Sequence, residues 1–163
     1  MQISASAALW FLPFAAPLCL YIAFMDMRSM RIANSVNGAL LCVFAVVGLF
    51  ALPFDTYLWR YASVGVMLLV GMVMNAAGGM GGGDAKFLPA AAPFVNPGDT
   101  ALVMMLFASA LLGALVAHRL GKHSALRRMA PDWHSWTNAR FPAGLALSGT
   151  LLIYLIAGVF AGA

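Results

Sequence analysis

The acidic side chains of this sequence are five aspartates, Asp26, Asp55, Asp84, Asp99 and Asp132, and there is no glutamate. Two of them stand beside long apolar stretches. Asp26 ends the first stretch, just before Arg28 and Arg31, and Asp84 closes the run Gly81-Gly82-Gly83-Asp84 between two others. A carboxylate at the edge of hydrocarbon is costly, so an acid there marks a functional site by default. Two such groups suggest a pair, and two carboxyls sharing one proton suggest acid–base chemistry on water. Rival chemistries find no support: H-E-x-x-H and G-x-S-x-G are absent, and no Cys–His pairing stands out. Cys19 and Cys42 lie inside apolar runs and form no C-x-x-C, which argues against a disulfide framework or a zinc site. No metal and no other cofactor is expected. His118, His123 and His134 show no ligand spacing and read as surface residues.

The elements that must position these acids are membrane helices. Of 163 residues 63% are hydrophobic and 9% charged, with a mean hydropathy of +0.92, whereas soluble domains carry roughly a quarter charged residues. About 20 apolar residues cross a bilayer as helix. Candidate spans are about 5–25, 36–53, 58–77, 100–118 and 142–161, with a short sixth piece at about 85–95. The reading is an all-α, polytopic membrane helix bundle of about six transmembrane helices, forming one domain over 1–163. Residues 1–25 hold no basic residue, so the first stretch reads as a retained helix rather than a cleaved leader. The net charge of +4 comes from cations set between apolar runs. They are topology determinants, not a nucleic-acid surface.

Charge counting orients the bundle. With Arg28 and Arg31 on the cytoplasmic side, six crossings keep the densest basic cluster, Arg119, Lys122, Arg127, Arg128 and Arg140, on that side as well. A re-entrant 85–95 would export it. A short crossing in turn requires a thinned bilayer, a helix that starts inside the glycine loop, or burial among the other helices. Asp26 and Asp84 then share the cytoplasmic side, while Asp55 and Asp99 fall in turns on the other and are expected to be solvated. Residues 122–141, with Trp133, His134 and Trp136, read as an interfacial segment with Trp at headgroup depth; a docking surface is the alternative.

Each acid also has a plainer reading. Asp84 can cap a helix that starts after the glycine loop, where the dipole would make it the more acidic member of a pair. Arg28 and Arg31 can neutralise Asp26. Asn75 can hydrogen-bond the site, although helix packing is the simpler role.

Taken together, the two runs resemble the type IV prepilin peptidases, membrane aspartic proteases with a G-x-G-D motif. Asp26, Arg28, Ile32 and Asn34 match the context of the first aspartate in that family, with Ala33 where proline is usual. Gly81, Gly83, Asp84 and Lys86 match G-x-G-D-x-K. The likeness extends to a final helix entered through Phe141-Pro142, and the length is similar to the short members that serve tight-adherence pili. It implies an aspartic endopeptidase at the cytoplasmic face of the inner membrane, with Asp26 and Asp84 as the catalytic dyad. Gly81, Gly83, Lys86, Arg28 and Asn34 would shape the site or bind substrate. The implied partners are a prepilin or pseudopilin peptide and membrane lipid. The paired C-x-x-C region of long members is not present, so methyltransferase activity is not expected. The rival readings are a presenilin-like intramembrane protease and a small transporter or assembly subunit.

Overall fold

The computed structural model describes residues 1–138 and 141–163, the side chains of 125 and 126 aside. Among these residues the chain is all-α, with helices α1 (Ala5–Ser29), α2 (Asn34–Ala51), α3 (Phe54–Ala76), α4 (Gly82–Ala91), α5 (Thr100–Lys122), α6 (Ala125–Met129) and α7 (Ala143–Ala161). Five of them (α1, α2, α3, α5 and α7) are long and apolar enough to cross a membrane. This is a multi-pass membrane protein.

The centre of the bundle is the antiparallel pair α1 and α7. They approach closely because small residues meet: a Cβ on Gly158 would lie 2.9 Å from the Ala8 Cβ and 3.0 Å from the Ile3 Cγ2. Helix α5 packs on α7, and α4 is held among α2, α3 and α7. Phe11, Phe44 and Phe94, each fully buried, stack where α1, α2 and the 3-10 turn after α4 converge, with centroids 5.0 to 5.8 Å apart. Outward faces of α3 and α5 stay apolar and exposed, as lipid-facing helices should.

The short sixth piece is α4 followed by the 3-10 turn Ala92–Phe94. It starts within the glycine loop, at Gly82, and lies buried among longer helices. Gly71 of α3 allows this packing, since a Cβ there would collide with the Ala85 carbonyl. The piece runs from the Asp84 end of the bundle to the opposite end. There the Arg60 guanidinium donates to the Val95 carbonyl, and Asn96 bonds both Gln2 and Tyr154. Its length is too small for it to count with the five long helices.

At that opposite end the structure corrects an expectation. Asp99 is not solvated; it is 5% exposed. Its carboxylate accepts from the amides of Gln2 (2.7 and 2.9 Å) and Ile3 (3.0 Å) and from the Tyr154 hydroxyl (2.8 Å). The turn signature of 96–99 was legible, but its partners come from positions 2, 3 and 154, beyond the reach of a local reading. Asp55, by contrast, is exposed. The Trp expectation also fails in part: Trp136 is 1% exposed, and its indole donates to the Ala130 carbonyl at 2.8 Å. It stacks between Trp133 and His118, so His118 is half-buried rather than on the surface, while His123 and His134 are exposed. Trp133 reaches Phe24 of α1 (5.7 Å). The segment therefore folds back over the bundle end that holds Asp26. Arg140, the last cation of the basic cluster, lies outside the described residues.

The Asp99 cluster should act on stability. Tyr154→Phe removes a donor to a buried carboxylate and the acceptor of the Asn96 amide, and should cost about 1–3 kcal/mol in unfolding. Asp55→Asn, in an exposed position, should stay within about 0.5 kcal/mol. Denaturant or thermal unfolding in detergent measures both.

Candidate active site

Asp26 lies in the last turn of α1 and is 5% exposed. The helix ends at Met30, whose left-handed backbone (φ 55°) returns its N–H to the Asp26 carbonyl at 2.9 Å. The reversal directs Ile32 inward, against two glycines from distant parts of the chain. A Cβ on Gly83 would lie 3.2 Å from the Ile32 nitrogen, and one on Gly144 would lie 2.9 Å from its Cδ1. Ala33 has φ −70°, a value that proline would also adopt, so the local shape survives the replacement.

The Asp26 carboxylate meets the N-terminus of α7. Its Oδ2 accepts from the Gly144 amide at 2.7 Å, and the Leu145 amide adds a second backbone hydrogen bond. A Cβ at 144 would lie 2.8 Å from that oxygen, so only glycine leaves the approach open. Unpaired amides and the helix dipole both favour an anion here.

Asp84 is the third residue of α4, whose first residues are the loop glycines Gly82 and Gly83. Its carboxylate accepts from the Gly81 amide, as an acid at the third helical position does when it reaches back to the cap. The loop itself is held by Gly78 at φ 75° and by Asn75, whose side-chain amide donates to the Met80 carbonyl at 2.9 Å. Asn75 thus supports the loop that carries Asp84, and helix packing is not its main role.

Asp26 and Asp84 line one open cavity of about 400 Å³, together with Met30, Arg31, Ile32, Asn34, Gly81, Gly82, Gly83 and Lys86. The Lys86 ammonium donates to the Asn34 side chain at 3.0 Å, joining the two motifs across its rim. Arg28 is exposed and is not among the lining residues. Arg31 lines the cavity, but no ion pair to Asp26 forms among the described residues, so the arginines do not neutralise it. His, Cys, Asp and Glu form no cluster able to hold a metal among the described residues.

Both acids stand at helix N-termini, Asp84 at that of α4 and Asp26 at that of α7, so the dipole expected to favour the charge on Asp84 has its counterpart at Asp26. Sequence reading missed Gly144. Its only signal was a small residue just after Phe141-Pro142, at the mouth of an apolar run.

Residues 13–118 match the sequence pattern of the type IV leader peptidase family. No curated protein and no solved structure shows a significant match to the chain. Gly144 and all of α7 lie beyond the matched segment.

Proposed function

Because the chain belongs to the type IV leader peptidase family, we propose that it is a membrane aspartic endopeptidase that removes the basic leader from prepilin-like substrates. Membership implies a peptidase. The observation that carries the finer reading is that the two candidate acids, 58 positions apart in sequence, line one open cavity.

The chemistry follows from one proton shared by two carboxyls, with the Gly144 amide bonded to Asp26 favouring the charge there. The Asp26 carboxylate takes a proton from a bound water, and the water oxygen attacks the scissile carbonyl carbon. Asp84 gives its proton to the carbonyl oxygen as the tetrahedral intermediate forms. Collapse of that intermediate breaks the C–N bond: one hydroxyl of the diol returns its proton to Asp84 as the carbonyl re-forms, and the proton on Asp26 passes to the leaving amine. The pair ends with one proton, as it began, and titrates jointly. Neither a metal nor a covalent intermediate enters the cycle.

The distribution of cations supports a cytoplasmic site. Arg28, Arg31 and Lys86 lie at the cavity end of the bundle, as do Arg119 and Lys122 in the last turn of α5. Arg60, at the other end, is buried. By the positive-inside rule the cavity faces the cytoplasm of the inner membrane. A substrate with a basic leader there and an apolar helix in the bilayer would present its junction at the cavity. Lys86, already on the rim, is placed to meet an acidic substrate residue beyond the cut.

Asp26→Asn and Asp84→Asn should each lower cleavage of a co-expressed prepilin by at least about 10²-fold without loss of the membrane protein. Normal processing by either variant rejects the dyad. Gly144→Ala should cost about 10²-fold through displacement of Asp26, and Lys86→Met should slow cleavage of a substrate with its acidic residue intact. Mass spectrometry of the pilin N-terminus reads every case.

A further inference from the structure

A second cavity, of about 300 Å³, lies at the last turn of α5 and is lined by Leu115, His118, Arg119, Lys122, His123, Asn138 and Phe141. Arg119 and Lys122 are fixed cations there, and His123 adds an exposed imidazole. No carboxylate is among the lining residues, and none of the described carboxylates forms an ion pair with Arg119 or Lys122. One wall is rigid. His118 is stacked on Trp136 at 5.2 Å and meets the Phe141 ring edge-on at 5.8 Å. The bland account is that two cations merely complement the carbonyl end of α5. That account explains charges near a helix end, but not their convergence on a concave pocket with a fixed aromatic wall.

The depth is also specific. The pocket sits where an apolar, largely exposed helix gives way to polar chain, the part of a membrane helix that meets the headgroups of a bilayer. Basic pockets at that level on the cytoplasmic side suit anionic headgroups, each cation contributing about fivefold in affinity. Arginine adds planar, paired donors that fit phosphate oxygens.

We propose that this cavity is a binding site for a phosphate group, held by Arg119 and Lys122, with an anionic phospholipid as its source. The site is separate from the dyad cavity and does not depend on the peptidase reading. Phe141, in its wall, lies three residues before Gly144, so an occupied pocket would steady the entry to α7.

The test uses the full chain in detergent and short-chain lipids. Phosphatidylglycerol should bind more tightly than phosphatidylcholine, and Arg119→Gln with Lys122→Gln should abolish that preference, about 25-fold for the two charges. Arg127→Gln with Arg128→Gln removes two exposed cations that do not line the pocket and should leave the preference in place. Circular dichroism verifies the helix content of each variant. Inorganic phosphate binding as tightly as the lipid, with the same dependence on Arg119 and Lys122, would keep the phosphate site and overturn the lipid source. Equal loss in both double variants, or no preference in the parent chain, overturns the site.

Discussion

The contact on which the site depends is the one between the Asp26 carboxylate and the first amides of α7. A carboxylate 5% exposed at the end of an apolar helix is tenable only where donors replace the water it has lost. The donors come from a segment 118 residues further on. That bond fixes the relation between α1 and α7, and Ile32 then has to fit between Gly144 and Gly83. Through Ile32 the α7 end sets the position of the glycine loop, and so of Asp84. The cavity is what remains when two helix N-termini, α4 and α7, are brought to the end of α1 with glycine at each closest approach.

The same pair of helices is tied at its other end by another buried acid, and the contrast shows what makes a site. Asp99 bonds the chain just ahead of α1 and Tyr154 of α7, with accepting distances of 2.7 to 3.0 Å on both oxygens. Its charge serves to hold three segments together. Asp26 does part of that work at the cavity end, yet it also lines open space, and a second carboxyl lines the same space. Burial and hydrogen bonding are common to both acids. Water access and a neighbouring acid belong to Asp26 alone, and those are the features acid–base chemistry needs.

Much of this was readable from the chain because the relevant signals are local or additive. Apolar run length located the five long helices, and the glycine run marked the start of α4. Cation counting put Arg28, Arg31, Lys86 and Arg119 at one end, which is where the fold brings them. Long-range partnership left no comparable trace. Nothing near Asp99 announces that positions 2, 3 and 154 will enclose it. Trp136 sits in a polar, basic segment and looks like an interfacial anchor, but its indole finds Ala130 and its ring finds His118. Gly144 is one of 16 glycines, and only the approach of Asp26 distinguishes it from Gly149, where an added Cβ would meet nothing within 4 Å.

The shortness of α4 bears on how water reaches the acids. The piece from Gly82 to Phe94 has 10 residues of α-helix and three of 3-10 helix, roughly 20 Å in length. The hydrocarbon layer is about 30 Å thick. A segment this short, anchored at its far end by Val95 and Asn96 to Arg60, Gln2 and Tyr154, must begin well inside the opposite boundary. Asp84 stands in the first turn of this short piece. The glycines above it carry no side chains to close the gap, and Lys86 and Asn34 make its rim polar. The result is an open, polar-rimmed cavity beside two acids, formed without a break in any long helix.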